Sequence, residues 1–151
     1  MTTDALGSTI LEGNVTTSAL QTYGDTVTIS GTRTLQGTTV SMASVQGNGD
    51  DDDELTITGI FDLNGAATAD LKTLSVSLTS DIGGDVTTST TQTYTGATVM
   101  SGGNRTLTAT QVNFGDTVDG GNAELAIVGI LNLDGALTNT TNLSVTGATT
   151  L

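Results

Sequence analysis

The run Asp50-Asp51-Asp52-Asp53-Glu54 is the densest group of chemistry-bearing side chains in this 151-residue sequence. Adjacent carboxylates repel by something like 0.5–1 kcal/mol per close pair in water, and oxygen-rich clusters of this kind hold Ca²⁺. Those five residues are therefore the candidate metal ligands, and calcium is the one cofactor the sequence raises. The preceding Gly47-Asn48-Gly49-Asp50 partly matches the Gly/Asp nonapeptide that binds calcium in stacked copies, but it occurs once. The plainer reading is a solvated acidic loop that discourages aggregation.

Catalysis has little else to draw on. There are no His and no Cys, so the commonest general base, the commonest transition-metal ligand and any thiolate chemistry are missing. A glycosidase-like pair of carboxylates is the remaining acid–base option. Asp62 and Asp134 fall in matching blocks of the sequence, yet each is matched by Asn in the other block, Asn132 and Asn64. That exchange suits turn or strand-end residues. The whole basic complement is Arg33, Lys72 and Arg105. The two arginines sit at equivalent positions and read as equivalent surface side chains. The expectation is a chain that is not an enzyme.

Threonine pairs are the third candidate. Thr26/Thr28, Thr32/Thr34, Thr56/Thr58 and Thr106/Thr108 resemble the flat threonine ladders of ice-binding β-solenoids, although Ala126 and Val128 replace the second pair's hydroxyls in the matching block. Ordinary outward strand Thr accounts for them on β-propensity. Asn14, Asn104, Asn139 and Asn142 open Asn-x-Ser/Thr sequons, which arise by chance in so Thr-rich a chain.

Internal duplication governs how all these residues must be positioned. Gly13-Asn-Val-Thr-Thr-Ser-Ala-Leu-Gln-Thr-Tyr23 returns as Gly84-Asp-Val-Thr-Thr-Ser-Thr-Thr-Gln-Thr-Tyr94. Arg33 to Val40 returns as Arg105 to Val112, and Glu54 to Ala66 as Glu124 to Ala136. The unit is roughly 70 residues, longer than one ordinary structural repeat, so each unit contains several turns of something smaller. One domain is expected over 1–151, with unit 1 at about 13–83 and unit 2 at about 84–151.

Within a unit the signal is strand throughout. Thr26–Ile29, Arg33–Leu35, Val40–Met42, Leu55–Thr58, Ile60–Leu63 and Leu74–Leu78 are short, alternate apolar residues with Thr or Ser, and are separated by Gly, Asn or Asp. Leu107, Leu125 and Leu143 recur about every 18 residues, and Leu35, Leu55 and Leu74 about every 20. That spacing suits one coil of a β-solenoid (parallel β-helix), with Leu columns inside it. Equivalent residues such as Leu55 and Leu125, or Ile57 and Ile127, should both face the interior. An antiparallel β-sandwich or jelly roll is the alternative all-β fold.

Composition agrees with a narrow core. Aromatic residues are two Phe and two Tyr, with no Trp, so the core is expected to rest on Leu, Val, Ile and Ala. A formal charge of −13 leaves no basic patch for nucleic acid or for an anionic membrane surface. No apolar run approaches the ~20 residues of a membrane span, and the first residues lack the features of a secretory signal.

The blocks Val-Thr-Thr-Ser…Gln-Thr-Tyr and Arg-Thr-Leu…Val, present in both units, resemble the Thr/Gly/Asn-rich β-strand repeats of very large bacterial secreted and surface proteins, passengers similar to filamentous haemagglutinin. The resemblance covers nearly the whole chain. It implies a β-helical rod outside the cell or on the bacterial surface, structural or adhesive, without cofactor or catalytic residues, and with carbohydrate or a host surface as the partner class. At the ends, Asn142–Leu151 is strand-like and uncharged in its side chains, and Thr3–Leu11 carries only Asp4. Self-association head-to-tail, or pairing with flanking repeats of a longer chain, is therefore expected.

Overall fold

In the computed structural model, which describes residues 1–68 and 70–151, strands pair only in parallel, and among the described residues there is no helix. They stack as a β-solenoid of about eight coils, and the jelly-roll alternative is not supported. Each coil has three short strands, so the stack forms three parallel sheets around one core. Sheet I runs through Thr22, Ser41, Asp62, Asp81, Val99, Asp119 and Thr138. Sheet II runs through Thr9, Val27, Val45, Ala67, Val86, Leu107, Ile127 and Val145. Sheet III runs through Val15, Leu35, Ile57, Val76, Tyr94, Phe114 and Leu133. Coil lengths vary at the corners: Val27 to Val45 is 18 residues and Val45 to Ala67 is 22.

Alternation decides which residues fill the core. In Asp53–Leu63 every second residue from Asp53 to Ile57 is buried while Glu54 and Thr56 face outward, as a half-buried strand requires. Leu55, Leu125, Ile57 and Ile127 are all buried, so both units present the same residues inward. Each such side chain contributes roughly 1.5–3 kcal/mol. The Leu columns are more mixed than the spacing suggested. Leu55 stacks on Leu74 and Leu125 on Leu143, but Leu35 stacks on Ile57 and Leu107 on Ile127. The few aromatic residues are also not peripheral. Tyr23, Phe61, Tyr94 and Phe114 are all buried, and the Tyr94 and Phe114 rings stack with centroids 5.3 Å apart.

The duplication is out of step with the coil. Tyr23 stacks beside Met42 in sheet I, whereas its equivalent Tyr94 lies between Val76 and Phe114 in sheet III. Leu55 belongs to sheet III and its equivalent Leu125 to sheet II. A unit is thus one strand short of four coils, and unit 2 is turned by one sheet about the axis relative to unit 1. The corner glycines Gly59 and Gly129 show the same relation. They have φ of 154° and 144°, and a Cβ on either would lie 2.1 Å or less from the carbonyl oxygen of Gly37 or Ala109 in the coil before. Only glycine lets the chain turn there.

Candidate functional site

The acidic run forms the corner between sheets II and III, and the fold separates its members. Asp50 and Asn48 bond each other, the Asp50 N–H donating to Asn48 Oδ1 and Asn48 Nδ2 to Asp50 Oδ2, both at 3.0 Å. Asp51 (φ 56°) and Asp52 are exposed. Asp53 points into the molecule, where Oδ1 accepts the Gly31 N–H and Oδ2 the Asn48 N–H at 2.5 Å. Glu54 faces outward and meets Lys72 Nζ at 2.9 Å. That hydrogen bond and charge hold the Glu54 carboxyl below its ordinary range. Among the described residues, no three acidic side chains gather as a metal-binding group. The period-2 pattern Asp53-x-Leu55-x-Ile57, extended back from the strand, is the sequence signal that separates Asp53 from its neighbours.

Unit 2 lacks this latch. Val40 to Glu54 spans 14 positions and the equivalent Val112 to Glu124 spans 12, with Ala123 in place of Asp53. The Asp53 carboxylate thus closes the wider corner of the pair. In the narrower one Asp119 accepts the Gly121 N–H and an Asn139 Nδ2 hydrogen, both at 2.9 Å. These two bonds, the backbone one the larger, keep its carboxyl below the usual range.

The most exact duplicates in the molecule are buried polar networks. Tyr23 donates to Gln21 Oε1 at 3.0 Å and Tyr94 to Gln92 Oε1 at 3.2 Å. Each glutamine then donates through Nε2 to two backbone carbonyls, Val15 and Gln36 in one case, Val86 and Thr108 in the other. Arg33 Nε donates to the Leu11 carbonyl at 3.2 Å and Arg105 Nε to that of Ile82 at 3.3 Å. The arginines are equivalent, as the repeat implied, but half-buried and bonded to backbone rather than free on the surface. The recurring Gln-x-Tyr and Arg-x-Leu spacings carried this information as pairs.

Burial raises both tyrosine pKa values, Tyr94 the more strongly. A phenol whose folded pKa lies above its unfolded value contributes stability that is complete below pH ~10 and is lost as pH rises from there toward the folded pKa. Tyr94 should therefore cost about 1.4 kcal/mol of stability per pH unit above ~10. Urea melts at successive alkaline pH values should show this slope reduced in Tyr94→Phe.

The threonine pairs divide between faces. Thr26/Thr28 and Thr106/Thr108 lie on sheet II, while Thr32/Thr34 and Thr56 lie on sheet III. On sheet III, Thr34, Thr56, Ser75 and Thr93 occupy one outward file, and Thr32, Glu54, Thr73 and Thr91 the file beside it. Gln111, Asn113, Ile130 and Asn132 continue those files beyond the fifth coil and end the hydroxyl array. Along the adjoining corner runs a groove of about 290 Å³ lined by Thr17, Gln36, Gly37, Thr58, Gly59 and Leu78 among others. Asp62 accepts a bond from Ser41 Oγ at 2.8 Å on sheet I, while Asp134 is an exposed residue just after the sheet III strand. The two are not brought together as an acid–base pair.

Comparisons with protein-family models, curated proteins and solved structures returned no match. The function must be read from the chain's own geometry.

Proposed function

We propose that this chain is a non-catalytic rod segment of an extracellular or cell-surface bacterial protein, structural or adhesive, whose coils continue by strand pairing at the ends. The supporting observation is the last coil. Ala67, Leu74 and Val76 of unit 1 are buried beneath the next coil. The strand Leu137–Val145 repeats that part of the unit, but Leu137 and Val145 are only half-buried and Leu143 is 37% exposed. The core is therefore open at a strand edge without a charged side chain or Pro, where interior coils are closed. The high negative charge suits a protein kept apart laterally while extended end to end.

Electron micrographs across a range of concentration and salt test the filament form. Rods should lengthen in steps of about 38 Å, eight coils at roughly 4.8 Å each. Monomers throughout would remove that form and leave the segment form, which in turn fails if the native gene encodes only these residues behind a secretion signal.

A second reading rests on the in-register Thr/Ser files of sheet III. Such an array suits binding to ice or to a carbohydrate surface through ranked hydroxyls. If it binds ice, Thr56→Leu at the centre of the array should abolish retention of the chain on an ice surface while leaving its melting temperature within a degree or two. A parent chain that washes off ice and off a glycan panel ends the reading.

A further inference from the structure

The junction between the two units shows what the open C-terminal edge is shaped to receive. Inside the chain, the closing strands of unit 1 are covered by the opening strands of unit 2. Val86 lies on Ala67, Gln92 on Leu74, Tyr94 on Val76 and Met100 on Ile82. At the end of unit 2 the same surface recurs. Leu143-Ser144-Val145 repeats Leu74-Ser75-Val76, and Leu125 and Ile127 lie beneath Leu143 and Val145 as Leu55 and Ile57 lie beneath Leu74 and Val76. The edge at Leu137–Val145 is thus an interior surface of the repeat without its cover.

We infer that this edge is a docking site for the opening segment of a repeat unit, Gly-(Asn/Asp)-Val-Thr-Thr-Ser-x-x-Gln-Thr-Tyr, added as the next parallel strands. The inference rests on the rod reading and specifies its joint. In the register of the internal junction, the Val of the incoming segment covers Leu137, its Gln covers Leu143 and its Tyr covers Val145. Backbone pairing along the nine residues of Leu137–Val145 supplies the attraction common to strand addition, and the inward Gln and Tyr supply the register. The internal copy shows the pattern: Thr90 N–H donates to the Lys72 carbonyl and Thr95 N–H to the Val76 carbonyl, both at 3.0 Å. No carboxylate on the last coil from Leu137 to Leu151 opposes the single Asp of the segment.

The chain's own beginning does not match this edge. Residues 2–11 precede the opening block and correspond to Thr73–Ile82, the close of a unit, since Leu11-Glu-Gly-Asn-Val15 aligns with Ile82-Gly-Gly-Asp-Val86. A joint made by Thr2–Leu11 would set the close of one unit against the close of another. The predicted joint sets an opening on a close.

Disulfide trapping reads the register directly, because the chain has no cysteine of its own. Ser75 pairs with Thr93 across the internal junction, so the full chain carrying Ser144→Cys should be trapped by a synthetic peptide of residues 84–100 carrying Thr93→Cys. Moving the peptide cysteine two residues to position 91 takes the Cα atoms beyond the ~7 Å that a disulfide spans, and should lower the yield at least tenfold. Leu143→Lys on the Ser144→Cys chain should lower it similarly, and Leu143 is already exposed enough for that variant to fold. Equal trapping by a scrambled peptide or by the position-91 peptide would overturn the inference. So would no trapping, or trapping of Thr2–Leu11 peptides instead. None of these results alters the particle length that tests the rod reading itself.

Discussion

Phe114→Ala should lose about 3–5 kcal/mol of unfolding free energy in urea titrations, the range for truncating a buried aromatic side chain. Phe114 is buried in sheet III, stacked against Tyr94 in the coil before and aligned with Leu133 in the coil after. Its removal opens a cavity that touches both neighbouring coils. Ile130, an outward residue 39% exposed on the next coil, should tolerate Ala within about half a kcal/mol. Because each coil contacts only those beside it, the loss is also local. Amide exchange should accelerate first around Gln92 to Leu133 and least around Val27 to Ile57. A Phe114→Ala loss below about 1 kcal/mol would contradict the register that puts this ring inside.

Asp53→Ala should be the next most damaging single change among those considered, at about 1–3 kcal/mol for each buried donor left without an acceptor. Its two oxygens serve the Gly31 and Asn48 N–H groups, which tie the wide corner of unit 1 to the coil before it. Asp52→Ala, two bonds of chain away but exposed, should change stability by less than about half a kcal/mol. Melting curves in millimolar Ca²⁺ and in chelator separate this latch from a cation site. The latch predicts the same Asp53→Ala loss in both conditions. A melting temperature of the parent chain that rises with Ca²⁺ and loses that response in Asp52→Asn would instead support calcium at the run.

The two variants probe features with different visibility in the sequence. Alternation of apolar and hydroxyl residues, Gly/Asn/Asp punctuation and the paired blocks are local or repetitive, and they were enough to specify parallel coils with Leu55, Ile57, Leu125 and Ile127 inside. A strand's own residues determine which side is apolar. The buried Asp53 was legible in principle from the same alternation, but a run of five carboxylates masks it unless the strand is extended backward.

Register between coils is another matter. It is set by how many residues each corner absorbs, 18 in one coil and 22 in the next, and a slip of one residue would reverse every side chain. No local signal carries that sum. Hence Leu spacings near 18 and 20 residues marked the coil length correctly while assigning some stacking partners wrongly. Hence also the repeat of roughly 70 residues gave no sign that it stops one strand short of four coils. The residues of this chain determined that it coils and what the coil buries. Only the tertiary structure decided the phase between coil and repeat, which places equivalent surfaces on different sides of the rod, because phase accumulates over corners that are far apart in sequence.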